Sequence, residues 1–275
     1  MTTRRRIVIT GSNGNLGRKL TADLSPDHDV ICLDIARSTS DGPSHLVSAD
    51  LSAWGDWSHH FDGADTVLHL AGEMRPTSSW AAVHGPNIVA TQNVLRAAKL
   101  GGTRRVIFSS SNQVMAGYRF HDGPITEDIP PSPLNPYAVS KLIGEELGRG
   151  FHAETGSSFL AFRVGNIMPG ENMPAPGMGL GLWGQQMWLS NHDMLRAFRC
   201  AIGAGDFGFA VLNLVSANAG MRWSMARARE VIGFVPETSY SPHASSQDEI
   251  VDATARQAAL VPGYWLDQDF RQLAG

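Results

Sequence analysis

Ser111, Tyr137 and Lys141 are the side chains in this sequence whose types and spacing can do chemistry together. Tyr137 and Lys141 stand four apart in a stretch with helical patterning, so they share one face. A tyrosine with an ordinary pKa of about 10 is a poor base near neutrality. An ammonium beside it favours the phenolate and lowers that pKa, which turns the phenol into a proton acceptor. Ser111 closes an apolar, strand-like run and can hold the hydroxyl that loses the proton.

The second group lies upstream. Gly11, Gly14 and Gly17 follow a short β-branched run and open a helix-like segment, with Asn13, Asn15 and Leu16 between them. The first glycine of such a turn bends tightly, the second lets backbone approach a pyrophosphate, and the helix N-terminus offers free N–H groups to phosphates. Placed after the first strand, this pattern predicts a dinucleotide site. Asp34 ends the next strand about twenty residues on, where a carboxylate accepts the ribose hydroxyls of NAD and repels the extra phosphate of NADP. Arg37, three residues further, can meet that phosphate, so NAD is expected and NADP stays open. Ile35, Asp50 and Leu51 are placed near the adenosine; Leu70, Ala71 and Gly72 near the nicotinamide ribose; Asn87 and Ser109 complete the cofactor set. A bound nicotinamide cation would lower the Tyr137 pKa further, and Lys141 can bond its ribose.

The elements that must position these groups alternate. Arg6–Thr10, Asp29–Asp34, residues 45–49, 66–71 and 105–109, and Ser158–Val164 are short and apolar, as strands covered on both faces must be. Between them, Asn15–Leu24, residues 86–100 and residues 136–151 carry helical spacing; the second stops at Gly101-Gly102 and the third opens on Pro136. Strands alternating with helices predict an α/β fold with a doubly wound parallel sheet, the Rossmann arrangement. The dinucleotide core is assigned to residues 1–165. Residues 166–275 are assigned to a small C-terminal substrate lobe within one structural unit, with helices at 190–202 and 221–232 and a strand at 209–215. Residues 168–187 are rich in Met, Gly and Pro and predict a long loop or lid. Met178, Trp183, Met187 and Trp188 fit a sugar-stacking lid, a lobe core or a subunit contact equally. Glu127 and Asp128 fall in a proline-rich loop and are expected to be solvated.

Composition excludes several classes. With 275 residues the chain can bury a sizeable core. A formal net charge of −4 gives no basic face for nucleic acid. No apolar run approaches membrane-spanning length and no leader pattern opens the chain, so a soluble, cytoplasmic, unprocessed protein is expected. Two cysteines make no disulfide framework and suit a reducing compartment. His59-His60 has no third ligand spaced nearby, so no metal is expected. The expected partner is a small-molecule substrate, and assembly as a homo-oligomer is expected.

The chain resembles a known family through Gly11-x-x-Gly14-x-x-Gly17, His69-Leu-Ala-Gly72, Asn87, Ser109-Ser-Ser111, Tyr137-x-x-x-Lys141 and Arg163-Val-Gly-Asn166. Together these are similar to the extended short-chain dehydrogenases and sugar epimerases. Ser110-Ser-Asn112, Trp188-Leu-Ser190, Ser216-Ala-Asn218 and Gly233-Phe-Val-Pro236 extend the similarity toward the uronate dehydrogenases, which oxidise the anomeric carbon of a free hexuronic acid with NAD. The resemblance implies Tyr137 as base, Ser111 as hydroxyl partner and Lys141 as support. It implies a sugar lined by Asn112, Gln113 and Asn166, with Glu73, Met74 and Arg75 nearby. It also implies oxidation of an aldose or an acidic sugar to the lactone; the alternative is a nucleotide-sugar epimerase or dehydratase that retains its NAD. Two departures bear on the sugar. Gln113 stands where uronate dehydrogenases carry histidine, and residues 165–195 contain no arginine or lysine, where that family binds the substrate carboxylate. Arg75, or Arg119 with His121, is the remaining candidate for that contact.

Overall fold

The computed structural model describes residues 4–35 and 46–259. Among these, seven parallel strands form one sheet: β1 (Arg6–Thr10), β2 (Asp29–Asp34), β3 (Leu46–Ser48), β4 (Thr66–His69), β5 (Arg105–Ser111), β6 (Ser158–Val164) and β7 (Phe209–Leu214). Their order, β3-β2-β1-β4-β5-β6-β7, reverses direction between β1 and β4, the switch point of the expected Rossmann arrangement.

Strand alternation divides the core into two layers. Ile7, Ile9, Leu68, Ile107, Phe162 and Leu212 face α1 (Asn15–Leu24) and α6 (Asn191–Gly203), which add Leu20, Leu24, Met194 and Phe198. Val8, Val67, Val106, Phe108, Phe159 and Val211 face the other way, against Val94 and Ala98 of α3 (Ala90–Leu100) and Phe151 of α4 (Pro136–Thr155). Burial on both faces is why these strands read as unbroken apolar runs. β7 and α6 lie beyond residue 165 yet complete the sheet and one of its layers.

Several elements differ from the sequence expectations. The segment expected to start a helix at Pro86 is helical earlier: α2 (Trp80–Val83) is capped by Ser79, whose side chain accepts from the Ala82 N–H. Pro86 sits in a π-turn (His84–Val89) between α2 and α3. Proline has no N–H to give, so the ladder slips there. α7 (Ala226–Ile232) is shorter than the 221–232 expected, because Arg222 and Ser224 exchange backbone bonds with Ile125 instead. Residues 168–187 are not all loop. They contain α5 (Gly181–Gln186), and Met178, Trp183, Met187 and Trp188 are each under 8% exposed. Trp183 packs on Trp223 with ring centroids 4.5 Å apart, and the Trp188 indole N–H donates to Asn172. Trp183 and Met187 therefore belong to a lobe core, built with Val114, Met115, Ile125 and Val215, and Met178 and Trp188 are buried as well. Glu127 is not fully solvated: it accepts from the Asn213 N–H at 2.9 Å, and burial pushes its carboxyl up. Asp128 is exposed and pairs with Arg227. A last helix, α8 (Ser246–Ala259), packs on α5.

Candidate functional site

The carboxyl ends of β1, β4 and β5 meet the N-terminus of α4 on one side of the switch point. At β1, Gly11 has φ +71°, and a methyl group there would lie 2.6 Å from the Ala71 nitrogen. A methyl on Gly17 would lie 2.2 Å from the Gly11 carbonyl oxygen. Both contacts are with backbone, so only glycine fits. Gly14 is the N-cap of α1, and no side chain caps it. The Asn13 N–H donates to the Asp34 carboxylate at 2.9 Å, which seats that carboxylate against the turn. A tight cradle, a helix end with no side-chain cap and an adjacent carboxylate fit a dinucleotide with free ribose hydroxyls.

The other expected cofactor residues fall into three groups. Leu70 and Ala71 carry the chain past β4, the Leu70 N–H bonding the Thr10 carbonyl. Gly72 follows, and a methyl on it would meet Asn87 Oδ1 at 2.8 Å and Lys141 Nζ at 3.6 Å. These residues stand beside the catalytic candidates. A second group is engaged elsewhere. The Asn15 side chain donates to the carbonyls of Ile167 and Met168, and Leu16 packs against the core. Leu51 is 5% exposed within the apolar layer, and Asp50 accepts from Ser52. Ile35 is exposed. Arg37 lies outside the described residues.

α4 brings the chemistry to the sheet. Asn135 caps it by accepting from the Ala138 N–H at 2.8 Å, and Pro136 occupies its first turn. The Tyr137 phenol is buried near the Ser111 hydroxyl, which favours the phenolate. Lys141 Nζ donates to the Ser109 carbonyl at 2.8 Å and lies 5.9 Å from the Tyr137 ring centre. The expectation of a lowered tyrosine pKa is reversed. Burial raises it, the Ser111 hydroxyl opposes that, and the Glu73 carboxylate adds to it. Burial also brings Lys141 down to about 8. Desolvation outweighs the tyrosine–lysine attraction because both groups are dry and the ammonium is aimed at a carbonyl.

Asn87 ties three elements together from the π-turn. Its amide oxygen accepts from the Glu73 N–H at 2.7 Å, and its nitrogen donates to the Glu73 carbonyl and to Ser140 Oγ. Ser140 in turn donates to the Tyr137 carbonyl. Asn87 thus fixes the chain after Gly72 against the catalytic helix.

The expected sugar contacts divide in the same manner. Ser111 lies by the Tyr137 hydroxyl, and the Gln113 N–H donates to Ser111 Oγ. Both polar atoms of the Asn112 side chain are buried without a partner, which makes this amide available to a ligand hydroxyl once the pocket admits one. Glu73 is held ionised, with a pKa of about 2, chiefly by its bidentate bonds from Arg75. Met74 is exposed. The Asn166 amide donates to the carbonyls of Gly179 and Gly184, so it anchors the lobe loop. Arg119 is committed to Asp252 and the Leu180 carbonyl. Arg222, which the sequence did not single out, is bonded to the carbonyls of Tyr118 and Arg119. A further group the sequence reading missed is Ser110, Glu145 and Arg163, buried just behind the catalytic set. The signal for Glu145 was present: it is four residues past Lys141 and eight past Tyr137.

Comparison with known proteins follows this geometry. Residues 7–177 match the model of the NAD dependent epimerase/dehydratase family. The chain is 31% identical to L-arabinose 1-dehydrogenase (NAD(P)(+)) of Haloferax volcanii, over 84% of this chain and 96% of that protein. It is 29% identical to an NAD-dependent glucose-6-phosphate dehydrogenase of the same organism, over 84% and 92%. Among solved structures it is similar to a mutated uronate dehydrogenase, with a TM-score of 0.76 and 25% identity, covering 93% of this chain and 86% of that one.

Proposed function

The chain belongs to the NAD dependent epimerase/dehydratase family, and from that premise we propose that it oxidises the anomeric carbon of a free sugar to the lactone. The observation that carries this reading is the convergence of Ser111, Tyr137 and Lys141 at the end of β5, beside the glycine cradle. NAD, when bound, supplies the acceptor for the hydride that leaves the anomeric carbon. Gly11, Gly14, Gly17 and the α1 N-terminus hold the pyrophosphate, and Asp34 the adenosine ribose. Ser111 holds the anomeric hydroxyl, and Tyr137 takes its proton. Lys141 holds the nicotinamide ribose and adds the positive charge that favours the phenolate.

The charges around Tyr137 favour a neutral aldose. A carboxylate bound in a buried pocket needs a paired cation or several donors. Residues 165–195 offer no lysine or arginine. Arg119 is paired with Asp252, and Arg75 with Glu73. The Glu73 carboxylate, whose charge Tyr137 feels, repels a second anion. Expected kinetics are efficient turnover of a neutral aldose and weak turnover of glucuronate and galacturonate. The oxidation test is NADH absorbance across a panel of neutral and acidic sugars, with one NADH released per sugar oxidised. Tightly held NAD, with sugar isomerised and no net NADH, would move the assignment to an epimerase.

Among the described residues no helix is long and apolar enough to cross a membrane. We place the protein in the cytoplasm, a setting supported by two free cysteines. Assembly with further copies is part of the proposal, supported by exposed Trp54 and Leu100 beside one shallow pocket.

A further inference from the structure

Ser110, Glu145 and Arg163 are each 2% exposed, and the proton transfer uses none of them. Ser110 Oγ donates to Glu145 Oε1 at 2.6 Å. Arg163 grips the same carboxylate with two bonds, Nε to Oε1 at 3.0 Å and Nη2 to Oε2 at 2.8 Å. Its remaining nitrogen, Nη1, reaches Met115 Sδ at 3.2 Å. Burying an ion pair costs about as much in desolvation as the attraction returns, so stability alone explains it poorly.

Placement explains it better. Tyr137, Lys141 and Glu145 recur every four residues along one face of α4. They meet three consecutive residues of β5: Tyr137 lies by the Ser111 hydroxyl, Lys141 bonds the Ser109 carbonyl and Glu145 bonds the Ser110 hydroxyl. The rest of the contact between α4 and the sheet is apolar, with Gly144 and Gly148 seated on the Phe108 and Phe159 rings and Leu147 and Phe151 in the same layer. The Glu145 bonds are directional, and Arg163 anchors them to β6.

We infer that Glu145, clamped by Arg163 and bonded to Ser110, is a positioning residue that fixes α4 against the end of β5 and so holds the Tyr137 hydroxyl at Ser111. The inference rests on Tyr137 and Ser111 being the working pair.

Two variants test it. The double substitution Glu145→Leu with Arg163→Met removes the pair without leaving a charge unpaired, and Ser110→Ala removes one hydrogen bond and leaves the ion pair. The double variant should keep or raise its melting temperature, as apolar replacements of buried pairs do. Its kcat should fall roughly ten- to a hundredfold, the effect of a misplacement near 1 Å. Ser110→Ala should lower kcat about fivefold, the equivalent of one net hydrogen bond. In both, NAD should still bind, because the glycine cradle and Asp34 are untouched. The acid limb of the kcat profile should move to higher pH, because Ser111 no longer supports the phenolate. A merely structural role would leave that limb in place. Wild-type kcat and an unmoved profile in Ser110→Ala overturn the inference, whether or not the double variant folds. Tyr137→Phe run alongside separates the two readings. If it is active, the catalytic assignment fails; if it is inactive while Ser110→Ala is unimpaired, only the positioning role fails.

Discussion

Tyr137 begins as a poor base in this protein. Burial raises its pKa, and the Ser111 hydroxyl returns only part of that. The phenolate therefore depends on positive charge arriving with the cofactor and on Lys141, itself pulled down to about 8 by burial. Activity should accordingly climb between neutrality and mildly alkaline pH, since proton loss from the phenol is opposed at low pH. A rate profile flat from about pH 6 to 9 would contradict a tyrosine base raised by burial. Replacing Tyr137 with Phe removes only the hydroxyl and should cut kcat by about a hundred- to ten-thousandfold while NAD still binds. Retention of most of the wild-type rate would remove Tyr137 from its proposed role. At the other end of the cofactor site, Asp34 sits against the glycine turn through the Asn13 N–H. Asp34→Ala should narrow the preference for NAD over NADP by removing repulsion of the ribose phosphate. Steady-state kinetics with both cofactors checks this, and an unchanged preference would place the discrimination elsewhere.

The turn that opens α1 tolerates little change. A methyl on Gly17 would stand 2.2 Å from the Gly11 carbonyl oxygen and 2.6 Å from the Ser12 Cα, both backbone atoms. At Gly14 the single contact is 3.1 Å. Gly17→Ala should therefore lose NAD binding and lower the melting temperature, whereas Gly14→Ala should keep the fold and weaken NAD through crowding of the phosphate. Calorimetry and cofactor titration separate the two, and equal losses would show that the α1 entry tolerates displacement. Elements of this kind were legible in the sequence, because glycine spacing and two-sided apolar runs are local signals. The strands β1, β2 and β6 stand as the pattern predicts. The start of α2 was not legible: Pro86 reads as a helix opener, and only the preceding Ser79 cap and the π-turn show that the helix is already running. The Met/Trp segment was ambiguous for a related reason. Composition says that Trp183 and Trp188 are large and apolar, and only the fold says which surface they meet. Ser111, Tyr137 and Lys141 could be picked out by spacing, but the raised phenol could not, since burial is a property of the packed molecule.

At the scale of the whole molecule, the buried polar residues decide how the fold responds to acid. His69 ends β4 with no exposed surface, its ring nitrogens bonded to Thr10 Oγ1 at 2.8 Å and Thr91 Oγ1 at 3.0 Å. Burial first, and the Lys141 charge second, bring its pKa to about 3. In the unfolded chain the imidazole titrates near its ordinary value of about 6.5. Between those values the unfolded state binds a proton that the folded state refuses. Stability therefore rises with pH across that window, is complete above about 6.5, and is lost as the pH falls toward 3. A gap of roughly 3.5 units at about 1.36 kcal/mol each amounts to about 5 kcal/mol at most, comparable with the whole stability of a marginal domain. Carboxylates titrate in the lower part of the same range, so the His69 contribution must be isolated. His69→Gln keeps a polar side chain between the two threonines and removes the titration. Urea unfolding at pH 7.5, 6 and 5 should show the wild type losing stability faster than this variant, with the two curves converging toward acid (pH values chosen to bracket about 6.5). Equal slopes, or a His69 resonance that titrates near 6 in the folded protein, would show that the imidazole reaches solvent and that acid acts on this fold elsewhere.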